Sequence, residues 1–280
     1  MLILCMAGCD DALDQRLAIV DQPRVIAVVA EPPEVAPGGA VRYTAVIGGP
    51  GGAEAAAPAW AFCTAPKPPT EDNAVSADCL DDPHEQPLGT APSIMATVPG
   101  SGCLLFGPET PSTELRPRDP DPTGGYYQPV RVVAGDLLAF ELTRITCHLP
   151  TAPGDVAHDY DLRYVANRNP TLDPIALPAL RAGTDVTLTA SWPAAAAEPY
   201  LFYDLTSQTL VTRREAMRLS WFATGGALAV DASAVGETDP ATTVSTTWHT
   251  PAAGPATLWL VLRDSRGGLA VQTVQVDIAP

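Results

Sequence analysis

Two runs of alternating apolar residues close the chain, between Pro255 and Ile278. In the first run leucine occupies every second position, at Leu258, Leu260 and Leu262. A period of two places these side chains on one face of a β-strand, so we predict a strand with one buried face. The second run ends with Val274, Val276 and Ile278, and a polar, glycine-containing connection at 264–268 precedes it. Such a connection joins antiparallel strands, and the stretch is therefore predicted to be a β-hairpin.

The start of the second run is out of phase with its end. Leu269 and Val271 are apolar at odd-numbered positions, whereas the later apolar residues of the run stand at even-numbered ones. A β-bulge inserts one extra residue into a strand and so exchanges the faces of the residues that follow it. We therefore predict a bulge just after the turn.

Length and composition extend this prediction to the whole chain. Its 280 residues exceed the roughly 100–150 residues of a typical domain and suit two domains. The 30 prolines and 22 glycines occur with only 17% charged residues, a composition that favours short strands and many turns over helices. The predicted fold class is therefore all-β.

A strand–turn–strand pattern opens each half of the chain. In the first half, strands predicted at 25–29 and 41–47 flank a turn rich in proline and glycine. In the second half, strands predicted at 175–177 and 186–190 flank a shorter turn with Gly183. Both halves are therefore predicted to begin with the same type of structural unit.

A tryptophan occupies a later strand of each half, Trp60 in the first and Trp221 in the second. A buried tryptophan between two sheets is typical of immunoglobulin-like sandwiches. We interpret the chain as two immunoglobulin-like β-sandwich domains in tandem, at residues 24–150 and 169–280, joined by a linker at 151–168.

The charge balance limits the partners that the protein can bind. The formal net charge is −16, from 32 acidic and 16 basic residues, and Lys67 is the only lysine. Such a surface repels phosphate backbones, so we expect no nucleic-acid partner. No stretch reaches the roughly 18 consecutive apolar residues that predict a membrane-spanning helix.

The first nine residues are apolar, and acidic residues follow immediately. Residues 6–9, Met-Ala-Gly-Cys, resemble the lipobox of bacterial lipoproteins, in which a cysteine is lipidated and becomes the mature N-terminus. The resemblance implies a signal remnant at 1–9, a lipid on Cys9 and a short tether at 10–23. No basic residue precedes Arg16, although secretory signals begin with one, so we expect translation to start further upstream.

Lipid on Cys9 would attach the protein to a membrane without a transmembrane helix, because each buried methylene contributes about 0.8 kcal/mol. The lipobox therefore implies an extracytoplasmic protein anchored to the cell envelope, and we place it at the outer membrane. In enteric bacteria an acid at the position of Asp10 favours the inner membrane, which leaves that alternative open. The other alternative is an apolar terminus whose cysteine carries no lipid.

Four further cysteines lie in the first half of the chain, at Cys63, Cys79, Cys103 and Cys147. An even number of cysteines in an exported protein predicts two disulfides, with three possible connectivities. We favour Cys63–Cys79, which would close a proline-rich loop, and with it Cys103–Cys147. Because no CxxC pair occurs, we predict no zinc site.

Acidic residues cluster around the predicted linker, at Asp155, Asp159, Asp161 and Asp173. Cadherin-like tandem domains hold calcium at such a junction, but this spacing matches no defined calcium loop. Calcium therefore stays an alternative to the simpler interpretation, in which these carboxylates are solvated. Asp119 and Asp121 stand in a proline-rich segment that we interpret as a polar loop. We predict no metal site and no cofactor.

The sequence contains no recognisable catalytic group of residues. The Gly-x-Ser-x-Gly elbow of serine hydrolases does not occur, and the four histidines stand in unrelated contexts. The Gly-Gly pairs precede no predicted helix, so they lack the amides that bind phosphate groups. We therefore predict that the protein is not an enzyme and has no catalytic residues.

Two segments of the second half resemble the PKD and related bacterial immunoglobulin-like domains. Residues 220–226, Ser-Trp-Phe-Ala-Thr-Gly-Gly, correspond to the Trp-x-Phe-Gly-Asp-Gly strand and turn of that family. Residues 260–268, Leu-Val-Leu-Arg-Asp-Ser-Arg-Gly-Gly, with Val-Gln-Val at 274–276, resemble its closing strands. Together with the lipobox, the layout is similar to that of surface lipoproteins from high-GC Gram-negative bacteria. This resemblance implies a binding or structural role outside the cytoplasm.

Two hypotheses of function follow. The first is a lipid-anchored structural, protein-interaction or adhesion module, whose partner is another protein of the envelope. The alternative is a protein that binds polysaccharide, with cleavage less favoured, through a platform of aromatic side chains: Tyr126, Tyr127, Tyr200, Phe202 and Tyr203. Aromatic residues of a β-sandwich more often pack in the core. The exposure of these five side chains distinguishes the two interpretations.

Overall fold

The computed structural model describes residues 18–65, 75–80, 85–109 and 124–280. The predicted signal remnant with Cys9, residues 10–17 of the tether, and the segment with Asp119 and Asp121 lie outside the described residues. In the described ranges most elements are strands, and no helix is both long and apolar enough to cross a membrane.

The first sandwich is built from strands β1 to β9 of the described chain. Their bounds are β1 Arg24–Glu31, β2 Glu34–Val35, β3 Ala40–Gly49, β4 Gly52–Glu54, β5 Ala59–Cys63, β6 Glu85–Thr90, β7 Ser93–Thr97, β8 Gly125–Ala134 and β9 Leu137–Thr146. One sheet has the order β1-β3-β4, with β7 also paired to β3, and the other has the order β2-β9-β8-β5-β6. Between them lies an apolar core that contains Tyr43, Trp60 and Phe62.

The second sandwich is built from β10 and from β13 to β18. Their bounds are β10 Asp185–Ser191, β13 Met217–Ala223, β14 Ala227–Leu228, β15 Ala232–Val235, β16 Thr243–His249, β17 Gly254–Asp264 and β18 Leu269–Ile278. The sheets have the orders β10-β16-β14 and β15-β13-β17-β18. Alternating side chains of β10 and β17 face inward onto Trp192, Trp221 and Trp248, all of them buried.

A helix and a hairpin lie beside the two sandwiches. Helix α2, Gly154–Arg163, follows the first sandwich, and the hairpin of β11, Pro199–Asp204, and β12, Thr209–Arg214, follows β10. They pack on each other through Tyr160 and Tyr203. The remaining helices are α1, Gly102–Leu105, and the 3-10 turns Ala77–Leu80 and Ala194–Ala196.

The predicted all-β class with two sandwiches is confirmed, and three short elements depart from what local composition favours. Helix α1 contains Cys103, and strand β6 contains Pro87, a residue type that is uncommon in strands. The linker predicted at 151–168 contains helix α2. In each case pairing or packing with distant residues decided the local structure over composition.

The closing hairpin exists, but the predicted bulge does not. Strands β17 and β18 pair without any register shift from Gly254–Ile278 to Arg263–Leu269. Leu269 and Val271 face the first sandwich, whereas Val274 and Val276 face the core of the second. The apolar pattern of β18 changes phase because the hairpin is covered on both faces near its turn. The expectation of one buried face was therefore wrong.

Candidate functional site: the buried interface between the sandwiches

Side chains from both sandwiches pack across an apolar contact. From the first come Ile26 and Ala27 of β1, and from the second come Trp259, Val261 and Leu269 of the closing hairpin. Trp259 and Val261 are fully buried. We call this cluster the apolar half of the interface. It exists because two odd-numbered residues of β17, Trp259 and Val261, are as apolar as the even-numbered leucines of that strand.

The segment that precedes β1 is also part of the interface. Ile19 forms a parallel bridge with Ala223, and the Val20 amide donates to the Ala223 carbonyl at 2.8 Å. Ala18 packs in the core of the second sandwich, and fully buried Val20 packs in the apolar half. Residues 18–20, which were predicted to belong to a tether, are thus fixed to the second sandwich before the chain enters the first.

Next to the apolar contact lies a cluster of polar side chains, which we call the polar half of the interface. Its members come from β2, β9, the segment after α2, the β12–β13 connection and the β17–β18 turn: Glu34, Arg144, Tyr164, Asn167, Glu215, Asp264 and Arg266. All except Tyr164 are buried. A buried charge is tolerated when it is paired or well hydrogen-bonded. Glu34, Glu215 and the two arginines form ion pairs, and Asp264 accepts hydrogen bonds from Asn167 and from two backbone amides.

Glu34 is the centre of the polar half. Its carboxylate accepts hydrogen bonds from Arg144 Nε at 3.0 Å and from the Tyr164 hydroxyl at 2.8 Å. It also accepts from Thr146 Oγ1 at 3.0 Å and from the backbone amide of Asn167 at 2.7 Å. The carboxylate of a two-residue strand is therefore bonded to its own sandwich and to the chain that leads into the second one.

Arg266 connects the polar half to the second sandwich. Its Nε donates to Glu215 at 2.7 Å, and its Nη1 donates to the Val165 carbonyl at 3.1 Å. The Nη2 atom donates to Asn167 Oδ1 at 3.2 Å and to Glu198 at 3.3 Å. The guanidinium group is therefore held by three elements at once.

Two asparagines of the segment after α2 complete the contact. Asn167 Nδ2 donates to the Asp264 carboxylate at 3.1 Å. Asn169 donates to the Ala30 carbonyl of β1 at 2.7 Å and accepts from the Leu269 amide of β18 at 2.8 Å. The segment after α2 is thus a bonded spacer between the sandwiches.

Two glycines leave room for charged groups that approach their Cα atoms closely. A Cβ added at Gly125 would lie within 2.5 Å of the Arg144 guanidinium nitrogens. One added at Gly268 would meet the Asp264 carboxylate. Any larger residue would displace a buried charge from its partners.

Burial shifts the acid–base properties of the interface. It raises the pKa of the Tyr164 hydroxyl to about 12, so this group stays a donor to Glu34 at neutral pH. Burial, with the Asp264 charge nearby, raises the pKa of Glu215 to about 7 against the opposing effect of Arg266. Burial also raises the pKa of Asp264. These carboxyls hold protons more tightly than they would in water.

The structure does not present the five predicted aromatic residues as an exposed platform. Tyr200 and Tyr203 are buried, and the other three are half-buried. Tyr126 packs on Phe106, and Phe202 lies under the guanidinium of Arg213 at 3.5 Å. Tyr127 and Tyr200 lie against the buried guanidinium groups of Arg144 and Arg266, at 5.2 and 5.1 Å. Two residues proposed to bind sugar therefore line the polar half of the interface.

The cysteines pair in the way that the sequence favoured. Cys63 is bonded to Cys79 and Cys103 to Cys147. Cys103, Cys147 and Glu109 are the only metal-type donors that converge in the described ranges, and both sulfurs are in a disulfide.

The linker aspartates do not form a common site. Asp159 pairs with Arg163 on helix α2, Asp161 with His148, and Asp173 accepts from Ser191. The side chains of these three aspartates thus have separate partners in the structure.

The sequence interpretation missed the interface as a functional feature. Two signals for it were present in the closing hairpin: the phase change at Leu269, and the apolar residues at odd positions of β17, Trp259 and Val261. The polar members carried no such signal, because an isolated Glu34 or Arg266 has the appearance of a solvated turn residue.

No family model matches the chain, and no curated protein matches it. Among solved structures, the fibronectin(III)-like modules of CbhA from Clostridium thermocellum are 8% identical, with 90% of this chain and 94% of that chain covered and a TM-score of 0.29. The D0-D1 domain of intimin is 11% identical, with 91% and 99% covered and a TM-score of 0.25. The adhesin InvE of Yersinia pseudotuberculosis is 13% identical, with 90% and 58% covered and a TM-score of 0.23. These TM-scores are low, and no functional conclusion is based on them.

Proposed function

We propose that the protein is a non-catalytic structural or protein-interaction module of the cell envelope, anchored by lipid on Cys9. The observation that carries the proposal is the interface, which joins two sandwiches and the preceding segment into one bonded unit. Such a unit suits a protein that holds surfaces in a fixed relation to each other. Its partner is a further protein of the envelope.

The polar half of the interface supports a rigid unit. Separating the sandwiches would expose buried charges to water or leave them without partners. Removal of one partner of such a pair costs about 3–5 kcal/mol. The hydrogen bonds of Glu34 and Arg266 fix orientation as well as contact, because each requires a particular donor or acceptor direction. A flexible tandem array would need none of these bonds.

The position of residues 18–20 specifies how an anchor on Cys9 would hold the protein. Ala18, which is buried in the second sandwich, lies nine positions after Cys9. A chain of this length spans at most about 30 Å. The lipid would therefore hold the protein by the junction of its two sandwiches, with both close to the membrane.

The disulfides support an exported protein. Disulfides persist in oxidising compartments and are rare in the cytosol. Cys63–Cys79 and Cys103–Cys147 are both buried, and all four cysteines of the described residues are paired. Export and the lipobox sequence together support the proposal that Cys9 is lipidated.

Metabolic labelling with a palmitate analogue tests the anchor. The wild-type protein is expected to incorporate the label and to partition into detergent, and Cys9→Ala is expected to do neither. Cys5→Ala is the matched control, because Cys5 lies in the same apolar run and is expected to leave with the signal. An unlabelled, water-soluble wild type, or labelling that Cys9→Ala retains, would overturn the anchor.

A further inference from the structure

An open groove lies at one end of the first sandwich, where the chain enters β1 and where β8 turns into β9. Its volume is about 540 Å³, and ligand pockets of proteins measure about 300–1,000 Å³. Part of its wall is apolar and is formed by Pro23, Ile47, Ala56, Ala57 and Leu137. The groove is therefore large enough to hold side chains of another molecule.

Two carboxylates line the same groove, Glu54 at the end of β4 and Asp136 in the β8–β9 turn. Both residues are exposed. Neither carboxylate has an ion pair or a hydrogen bond with another residue of the described ranges. An acid on an open surface needs only water as a partner, whereas these two share a recess with apolar side chains. The groove thus combines negative charge with carbon surface.

Short turns hold both carboxylates in place. Gly135, with a φ of 59°, closes the two-residue turn that carries Asp136. Glu54 pairs with Ile47 across the β3–β4 hairpin, and its carboxylate lies over Gly49, where a Cβ atom would collide with it. Turns of this length leave the backbone few alternative positions, so rigid strands present both charges to the groove.

The basic side chain closest to the groove in sequence is directed elsewhere. The guanidinium group of Arg24, which follows Pro23, lies over the Phe222 ring of the second sandwich at 5.8 Å. Within the described ranges no basic side chain pairs with Glu54 or Asp136. A partner molecule can therefore supply the positive charge that the groove lacks.

Arginine matches both features of the groove. Its guanidinium group forms charge-assisted, bidentate hydrogen bonds with carboxylates, and its aliphatic stem packs on apolar surface. The net charge of −16 attracts basic partners over longer distances. The same charge repels anionic lipid headgroups, and a metal ion, which binds oxygen ligands, would gain nothing from the apolar wall.

We propose that the groove binds arginine side chains of a partner protein, with their guanidinium groups on Glu54 and Asp136 and their stems against Pro23 and Leu137. The inference rests on the proposed protein-interaction role and names the chemistry of the partner. It does not depend on the lipid on Cys9.

A defined peptide tests the groove on the full chain. The protein carries Cys9→Ala, so that it is free of lipid whether or not the wild type is lipidated. The probe is acetyl-Arg-Val-Arg-Val-Arg-amide, and NMR titration follows the backbone amides of Ala56, Ala57 and Gly135. We expect shifts confined to the groove at low salt. The neutral peptide acetyl-Gln-Val-Gln-Val-Gln-amide should bind about tenfold more weakly, because it has no charge to pair with the carboxylates.

Two double variants locate the charges that the peptide recognises. Glu54→Gln/Asp136→Asn should bind the arginine peptide about tenfold more weakly than the parent chain and should lose most of the salt dependence between about 0.01 and 1 M. Asp231→Asn/Glu237→Gln is the matched control, because it removes two exposed acids of the second sandwich. It should bind the peptide as the parent does.

Three results would overturn the proposal. Equal binding of the arginine and glutamine peptides would show that charge is not recognised, and an equal loss in both double variants would show that net charge alone attracts the peptide. The same amide shifts with calcium chloride alone would make the groove a cation site. The peptide series and the salt dependence require no variant of the groove, so they decide the question even if a double variant does not fold.

Failure of this inference is distinguishable from failure of the proposed function. An unlabelled wild type in the palmitate experiment would remove the anchor and leave the peptide titration unchanged. A groove that does not respond to the arginine peptide would leave the anchor and the bonded interface unchanged.

Discussion

The two halves of the interface join the same pair of sandwiches by different physical means. The apolar half, around Trp259 and Val261, excludes water from carbon surface and makes few directional demands. The polar half, around Glu34 and Arg266, gains its stability only if every donor meets its acceptor. The difference indicates that the apolar half supplies most of the affinity, whereas the polar half selects one orientation.

Removal of Arg266 should have the largest effect. Arg266→Met leaves the Glu215 carboxylate buried without its charged partner, and we expect the free energy of unfolding to fall by about 4–5 kcal/mol at pH 8. The loss should shrink at pH 5, because protonation neutralises the carboxyls. Denaturant unfolding at both pH values measures it. Arg163→Met, which removes an exposed pair with Asp159, should cost less than about 0.5 kcal/mol. A loss that is independent of pH would contradict the assignment of Arg266 to the polar half.

Truncation of Trp259 should have the next largest effect. Trp259→Ala opens a cavity in the apolar half, and we expect a loss of about 3 kcal/mol. The loss should be the same at pH 5 and pH 8, in contrast to that of Arg266→Met. The indole N–H of Trp259 has no hydrogen-bond partner in the described structure, so Trp259→Phe should cost only about 1 kcal/mol. A large effect of Trp259→Phe would show that the indole nitrogen has a role that the structure does not reveal.

A methyl group at Gly48 should push β3 of the first sandwich away from Trp259 of the second. Its Cβ would lie 2.8 Å from the Trp259 ring and 3.0 Å from Ile26. We expect Gly48→Ala to cost about 2 kcal/mol in thermal or denaturant unfolding. Gly51→Ala, with no atom within 4 Å of its Cβ, is the control and should change stability by less than about 0.5 kcal/mol. In the Trp259→Ala background the penalty at Gly48 should largely disappear, and additive losses would argue against the contact.

Loss of Asn169 should have the smallest effect of the four. Asn169→Ala removes two hydrogen bonds to the first sandwich, to Ala30 and Glu31, and one to the second, from Leu269. We expect a loss of about 1–2 kcal/mol, independent of pH between 5 and 8. The exposed neighbour Arg168 offers the control, since Arg168→Ala removes no interface bond that the described structure contains. A change at Arg168 as large as that at Asn169 would mean that the backbone of the spacer, and not the Asn169 side chain, makes the connection.

Local patterns predicted the elements that depend on neighbours in sequence. The leucines of β17 predicted the strand, and the polar residues at 264–268 predicted the turn. The pairing of Cys63 with Cys79 followed from a loop that the sequence itself delimits. Helix α2 was missed because its amphipathic signal is weak and its packing surface, Tyr203 on the hairpin, lies far along the chain.

The polar half could not be predicted because its partners are distant in sequence. Glu34 and Arg144 are separated by 110 residues, and Glu34 and Asn167 by 133. Nothing in the neighbourhood of Glu34 indicates that its carboxylate is buried. For the same reason Tyr127 and Tyr200 were interpreted as sugar-binding residues, although their rings lie against buried guanidinium groups.

The sequence by itself determined the β-rich class, the repeated sandwich and the number of disulfides, because alternation, turn residues and cysteine number can be read without knowing how distant segments pack. Only the tertiary structure decided that the second face of the β17–β18 hairpin is buried, and that Glu34, Arg144, Glu215, Asp264 and Arg266 form one cluster. A period of two fixes which side chains share a face, but what covers that face depends on how distant segments pack. The phase change at Leu269 is visible in the sequence, but only the fold explains it, because the residues that cover the second face come from the other sandwich.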